Sequence, residues 1–339
     1  MIVLSPIELP ASKMLATMTT LIGDVRFSET LGVSDIVNDL VDSCRIGNVD
    51  YGKGIVYNFK VAPLPVKELS ETSSAFTITK PNVVQETIVI DTYKFIPISV
   101  AEILARDTAV RGETISEFVS YVYGLLEDTC QFDLFDEVND MYQDWTPGQA
   151  SQTIYVDQID TTDLTGADLN AALLWNSNNV AKVMRKTLNN MKIKNSKFTD
   201  SDIYEDVNTG EIGRVVSALK TDNLKLVVND KFWTDFMATS LASLYHSEKL
   251  GEMIPGEKFV LLPEDAMKEG NENVIGWLSA KEKFALADFY RVTLSIKDPS
   301  TLYENTFYHY AYGMGVFKHA PGVKFVARTI EAPAENVGG

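Results

Sequence analysis

Residues 114–142 read TISEFVSYVYGLLEDTCQFDLFDEVNDMY, and this run decides the fold that we expect for the chain. Its apolar residues recur at intervals of three and four, the spacing of one face of an α-helix. Thr114 and Glu117 have the spacing of a capping box that would start the helix, and Trp145, Pro147 and Gly148 would end it. The sequence therefore predicts one rod of about 43 Å, at about 1.5 Å per residue.

The segment before this helix has the period of a β-strand. Ile55, Tyr57 and Phe59 alternate with the residues between them, and a second alternating run covers residues 87–91. Residues 63–81 lie between the two runs and are rich in Ser, Thr, Glu and Lys. We therefore expect a long two-stranded hairpin whose polar tip cannot bury itself. Residues 1–45 predict an extended arm with a short helix near residues 34–41, capped by Ser34.

The segment after the helix alternates between the two periods. We expect a strand at 153–156, a helical region from Asp168 that restarts near Ser177, a strand at 224–228, a helix at 231–244 and a strand at 259–262. This alternation indicates a compact α/β unit. The last quarter predicts strands at 289–296, 306–318 and 323–329, with Pro321 and Gly322 turning the last two into a hairpin.

Composition favours a folded and strongly acidic protein. The 339 residues are 45% hydrophobic, which is enough for a real core, and 47 acidic residues against 30 basic ones give a net charge of −17. That charge opposes nonspecific binding to nucleic acid or to an anionic membrane. Cys44 and Cys130 are far apart in apolar stretches, so we expect buried thiols. We expect neither a membrane span nor a signal peptide.

The patterns of the common catalytic and metal sites do not stand out. His246, His309 and His319 have no zinc spacing, and the acidic turn at 157–163 lacks the ligand spacing of a calcium loop. Ser217 and Lys220 match the Ser-x-x-Lys pattern without the partner motifs of acylating enzymes. We therefore predict no catalytic residue, no cofactor and no metal site.

Three stretches carry a resemblance to a known family. They are TYKFIPISVAEIL at 92–104, LKLVVND at 224–230 and NTFYHYAYGMGVFKHAPGVKF at 305–325. Together with the order of elements along the chain, they resemble the major capsid proteins of tailed bacteriophages, which have the Hong Kong 97 fold. The resemblance covers nearly the whole length and rests on architecture, because this family has no strict motif.

The resemblance implies an α+β, Hong Kong 97-like fold with a defined domain order. That order is an N-terminal arm (1–49), an extended β-hairpin loop (50–95), a peripheral domain (96–164) with a spine helix (114–142), an axial domain (165–285), strands that return to the peripheral domain (286–330) and a C-terminal tail (331–339).

The same resemblance implies a shell-forming subunit of the virion that is assembled in the host cytoplasm. Its partners would be copies of itself in pentamers and hexamers, scaffolding, portal and decoration proteins, and packaged double-stranded DNA without specific binding. A thin hairpin and an extended arm need a partner to complete them. The residues predicted to contact a neighbouring subunit are Tyr57, Phe59, Lys67, Glu71, Phe76, Asp133, Glu137, Arg185 and Lys186.

Some of these predicted contact residues lie in two clusters of opposite charge. Acidic residues cluster between positions 133 and 168 and basic residues between 182 and 197, so we predict that the clusters meet across subunits, with two solvated faces as the alternative. Two other functions stay open at this point. One is an encapsulin-like nanocompartment shell protein, and the other is a carboxylate-based hydrolase that would use acidic pairs such as Asp133 and Glu137.

Overall fold

The structure, a computed structural model, describes residues 32–48, 54–64, 66, 78–101, 112–201, 203–235, 258–298, 300 and 303–330. The elements within these ranges are α1 (Asp35–Cys44), β1 (Arg45–Asn48), β2 (Ile55–Lys60), β3 (Val83–Ile88), β4 (Thr92–Ala101), α2 (Gly112–Asp144), β5 (Thr153–Ile159), α3 (Gly166–Lys192), β6 (Ile203–Glu205), β7 (Ile212–Arg214), β8 (Leu224–Asn229), β9 (Lys258–Leu262), β10 (Val274–Ala280), β11 (Phe284–Asp298), β12 (Tyr303–Val316) and β13 (Gly322–Ile330). Another helix begins at residue 230 and is described to residue 235.

The predicted rod is helix α2, and one stripe of its surface is fully buried. The stripe takes every fourth position, which keeps its side chains on one face of the helix, and consists of Leu126, Cys130, Leu134, Val138 and Tyr142. The helix itself is confirmed, and it stops just before Trp145 as expected. The predicted capping box is wrong, because α2 begins at Gly112 and Thr114 therefore lies inside its first turn.

A four-stranded sheet in the order β1-β11-β12-β4 packs against α2. Strands β11, β12 and β4 run antiparallel, and the short β1 lies parallel to the start of β11. Tyr308, Tyr310 and Tyr312 alternate along β12 and point to the helix side, where all three are buried. Helix α1 joins the same cluster through Leu40 and Cys44. This sheet and its two helices form the first core.

A five-stranded sheet in the order β5-β13-β10-β8-β9 forms the second layer. Its central strands β8 and β10 are buried along their whole length. Val227 and Trp277 face the cluster of α1 and α2, whereas Leu226 and Ile275 face the cluster of α3. A strand covered on both faces needs apolar residues at successive positions, which explains the run LKLVV. The sheet is thus sandwiched between helices.

The predicted closing hairpin of strands 306–318 and 323–329 is wrong. β12 pairs with β11 and β4, whereas β13 pairs with β10 and β5 in the other sheet. The turn around Pro321 therefore passes the chain from one sheet to the next. The real hairpin is β11–β12, and β10, which supplies the antiparallel partner of β13, was missed from the sequence.

Three further expectations need correction. Helix α3 is continuous from Gly166 to Lys192, and Ser177 does not restart it, because its hydroxyl donates to the Leu173 carbonyl inside the helix (2.9 Å). Residues 35–48 of the predicted arm lie in α1 and β1, within the first core and its sheet, and α1 confirms the short helix expected near residues 34–41. Residues 1–31 and 49 of the arm lie outside the described ranges. Strands β5 and β13, predicted for the peripheral domain, lie in the sheet of β8 and β10. The domain boundaries themselves stay a prediction.

Candidate assembly interface

The root of the predicted hairpin is packed against its own chain. β2 and β3 form the separate two-stranded sheet that we expected, with six residues paired on each strand, but the second strand is Val83–Ile88 and not residues 87–91. Tyr57 and Phe59 lie on one face of it, and their ring centroids are 5.0 and 5.4 Å from that of Phe317. Phe317 is buried in the turn after β12. The aromatic contacts of these two residues are therefore intramolecular, and a contact with a neighbouring subunit stays a prediction.

Glu86 on β3 holds the same turn by hydrogen bonds. Its carboxylate accepts from the backbone N–H groups of Lys318 (2.8 Å) and His319 (2.9 Å), and it also pairs with Nδ1 of His319. Burial alone would raise the pKa of Glu86, but the bonds from His319 and Lys318 outweigh it and lower the pKa below its usual value. The charged carboxylate thus fixes the root of the hairpin to the body.

A second clamp holds the neck of the hairpin, where β2 and β3 end. The Asn82 side chain donates to Asp206 (2.9 Å) and accepts from the backbone N–H of Val207 (2.9 Å). The Asn208 side chain exchanges two hydrogen bonds with the backbone of Lys80 (2.8 and 2.9 Å). Residues 206–208 belong to the turn between β6 and β7. The short β6–β7 hairpin therefore braces the longer one.

Beyond the neck, the described apolar residues are exposed. Val66 is 98% and Ile78 83% exposed, and Leu64 is exposed as well. Lys67, Glu71 and Phe76, which we predicted to contact a neighbouring subunit, lie outside the described residues. Among the described residues, the hairpin is therefore packed at its root and exposed beyond its neck.

Asp133 and Glu137 form a charge cluster that ties α2 to the sheet. The Lys94 ammonium donates to Asp133 (2.8 and 2.9 Å) and to Glu137 (2.8 Å), and the Tyr310 hydroxyl donates to Asp133 (2.8 Å). Burial opposes the charge on Lys94, but these hydrogen bonds raise its pKa overall. Burial also raises the pKa of Tyr312, whose ring lies 5.7 Å from the ammonium, to about 12.

Arg185 and Lys186 lie exposed on α3, which packs on the other sheet. Within the described part of the chain they form no ion pair with Asp133 or Glu137, whose partner is Lys94 in the same chain. The exposed Asp136 lies in the same acidic turn of α2. Burial and then repulsion from Asp133, Asp140 and Glu137 raise its pKa. The predicted meeting of the acidic and basic clusters across subunits stays a prediction.

Sequence reasoning missed two buried lysines. Lys283 is fully buried between β10 and β11, where it pairs with Asp200 (2.6 Å) and lies 5.1 Å from the Trp145 ring centre. Burial lowers the pKa of Lys283, and the charge of Asp200 opposes that shift. Lys225 on β8 is also buried and donates to the Ser43 carbonyl (3.2 Å). Lysine is typical of surfaces, so only the three-dimensional contacts reveal these roles.

The described residues hold neither a candidate metal site nor a candidate membrane-spanning helix. Across these ranges, no cluster of three or more His, Cys, Asp or Glu side chains has an arrangement fit for a metal ion. No helix in the same part of the chain combines the length and the apolar character needed to cross a bilayer.

A match to a family model identifies the family of this protein. The model of the Phi29-like phage major capsid protein matches residues 64–326, which is well over half of the chain. The chain belongs to this family. It is therefore a capsid protein that builds the head shell of a tailed phage, and its place is the virion. The match does not favour the encapsulin-like nanocompartment or the carboxylate-based hydrolase.

Solved structures show the fold independently. The capsid structure of Staphylococcus phage Andhra matches 92% of this chain and 89% of its own chain, with a TM-score of 0.58 at 10% identity. The head structure of Helicobacter pylori bacteriophage KHP40 matches 90% of this chain and 95% of its own, with a TM-score of 0.52 at 10% identity. No curated protein matches in sequence. The capsid protein thus has the predicted α+β, Hong Kong 97-like fold.

Proposed function

We propose that copies of this capsid protein assemble as pentamers and hexamers into a closed icosahedral shell around double-stranded DNA. The observation that carries this proposal is the hairpin, which is braced at its root and neck and exposes Val66 and Ile78 beyond them. A two-stranded ribbon is marginal alone, because it lacks the third strand or helix that would cover it. In the assembled shell, a neighbouring copy covers the exposed part.

The braces make this contact directional. Glu86 and Asn82 fix the described part of the hairpin at two successive places, so that part loses less conformational freedom when a partner binds. Closed shells join different patches of identical subunits, which is the geometry that a projecting element serves. The hairpin of each copy therefore reaches a different surface of the next copy.

The role is structural, with function carried by interfaces and not by a catalytic centre. The net charge of −17 suits a container for DNA, because binding of phosphates would need many Lys and Arg contacts. Packaged DNA then meets the wall without specific binding. Scaffolding, portal and decoration proteins are the further partners that we propose.

A hairpin deletion tests the proposal. Replacing residues 63–81 with Asn-Gly keeps β2 and β3 paired, because that dipeptide favours a tight turn. We expect a folded subunit, judged by circular dichroism and thermal melting, and loss of shells in sedimentation velocity and negative-stain microscopy. An unchanged yield of shells would refute the role of the hairpin.

A substitution pair removes the concern that the deletion disturbs folding. Val66→Ser together with Ile78→Ser changes only exposed side chains beyond the neck, and it should lower the shell yield. Ile193→Ser is the matched control, because Ile193 is an exposed aliphatic residue at the end of α3 and is not part of the hairpin. Equal yields from the pair and the control would count against the proposal.

A further inference from the structure

The four-stranded sheet has one face that no described helix covers. Side chains alternate along a strand, so the positions opposite to the buried tyrosines of β12 point away from α2. The strand registers place these outward positions in rows across β11, β12 and β4. The rows are Val292, His309 and Phe95, then Leu294, Phe307 and Pro97, then Ile296, Asn305 and Ser99, with Ala311 and Tyr93 alongside the first. We call this set the outer sheet face.

The outer sheet face departs from the usual distribution of side chains. A sheet with one covered face normally places apolar residues inside and polar residues outside. Here the large apolar residues Tyr93, Phe95, Val292, Leu294 and Ile296 are between 43% and 62% exposed. Of the charged residues of the same strands, Lys94, Asp288 and Arg291 lie on the helix side, and Asp298 lies at the end of β11 beyond these apolar residues. Both faces of the sheet therefore carry large apolar side chains.

Charge is also missing from the outer sheet face. None of these rows contains Asp, Glu, Lys or Arg, although 23% of the whole chain is charged, and the first charged residue on the same side of β11 is Asp298 at its end. Copies with a net charge of −17 repel each other, so a contact between them is favoured where no carboxylate has to lose its hydration. The outer sheet face therefore allows two copies of this chain to approach each other without burying charged side chains.

The size of the patch is appropriate for part of a stable interface. The exposed fractions of its five large apolar side chains amount to roughly 500 Å², taking about 150–250 Å² for each whole side chain. A stable interface uses about 800 Å² on each partner, and a patch of several hundred Å² on a monomer is often a binding surface. The outer sheet face would supply most of one side of such an interface.

We propose that the outer sheet face binds a second copy of this chain in the shell. The inference rests on the proposed function, since it names a surface on which that assembly occurs. The described helices of the same chain pack on the opposite side of the sheet, so they do not compete for this face. Pro97 lies in β4, an edge strand, where proline discourages addition of another strand. The second copy therefore packs over the face and does not extend the sheet.

Two acidic substitutions test this surface. Phe95→Asp and Leu294→Asp each place a carboxylate in the centre of the outer sheet face, at side chains that are more than half exposed. Tyr155→Asp is the matched control, because Tyr155 is exposed to a similar extent on β5 of the other sheet. Each variant and the unmodified protein are compared by sedimentation velocity, negative-stain microscopy and thermal melting of the unassembled subunit.

We expect a drop of at least about tenfold in the assembled fraction for Phe95→Asp and Leu294→Asp, with the melting temperature unchanged and the Tyr155→Asp control assembling normally. Normal assembly of the two variants would overturn the inference and leave the proposed function intact. A lower melting temperature in both variants would also overturn it, because the face would then be covered by the same chain. Failure of the unmodified protein to assemble would instead refute the proposed function, and the inference with it.

Discussion

Removing the Glu86 carboxylate should loosen the root of the hairpin while the two main sheets stay folded. Glu86 accepts two backbone hydrogen bonds and pairs with His319, and each hydrogen bond to a charged group contributes about 1.5–3 kcal/mol. Partial exposure of the site reduces the total, so we expect Glu86→Ala to lower the free energy of opening the β2–β3 sheet by about 2–4 kcal/mol. Glu86→Gln, which keeps an acceptor, should cost about half as much.

Hydrogen exchange measures this opening directly. A loss of about 1.4 kcal/mol corresponds to a factor of ten, so the amides of β2 and β3 should exchange roughly 30 to 1,000 times faster in Glu86→Ala. Gln85→Ala is the matched control, because Gln85 is exposed on the other face of the same strand. Equal exchange in Glu86→Ala and the control would refute the role of the carboxylate as a clamp.

The clamp should also depend on pH. The pKa of Glu86 is lowered in the folded protein, so its contribution is fully present above the pKa of the unfolded chain, about 4.3. The contribution is lost as the pH falls through the lower, folded pKa. The difference in exchange between the unmodified protein and Glu86→Ala should therefore be full at neutral pH and shrink below about pH 4.

Three further perturbations test other parts of the molecule. Lys283→Met should lower the free energy of unfolding in urea by about 3–5 kcal/mol, because it leaves the largely buried Asp200 without its cation. Adding Asp200→Asn should recover part of the loss, and a change below about 1 kcal/mol would contradict a stabilising role of the pair. Lys94→Met should cost only about 1 kcal/mol in the same assay, since its ion pairs are about one-third exposed, and a loss above about 3 kcal/mol would show that the cluster does more than join α2 to the sheet. Lys186→Glu should block assembly in sedimentation velocity, and Asp136→Lys should rescue it if the acidic and basic clusters meet across subunits; absence of rescue would refute that meeting.

Periodicity in the sequence was sufficient to predict an element that has one buried face and one exposed face. The stripe from Leu126 to Tyr142 predicts α2 because a helix on a sheet must repeat its apolar residues about every fourth position. The alternation around Tyr57 predicts β2 for the same reason, with a period of two. By contrast, β10 is buried on both faces, so its run of apolar residues has no period to distinguish it.

Long-range pairing could not be predicted in the same way. Neighbouring strands are expected to pair, and that expectation made β13 the partner of β12, whereas β13 lies between β5 and β10. Glu86 and His319 are 233 positions apart, and no local pattern in either segment indicates their contact. We predicted contacts with another subunit for Tyr57 because a thin hairpin needs a partner, and for Asp133 because it lies in an acidic cluster. Both residues have partners in their own chain that only the folded structure brings close.

We propose above all that other copies of this chain cover its hairpin and its outer sheet face in the shell. Negative-stain electron microscopy of the purified full-length protein over a range of concentrations tests it most directly. Closed shells, or five- and six-membered rings of subunits, are the result that we predict. A monomer or small oligomer that persists at the highest concentration would contradict it.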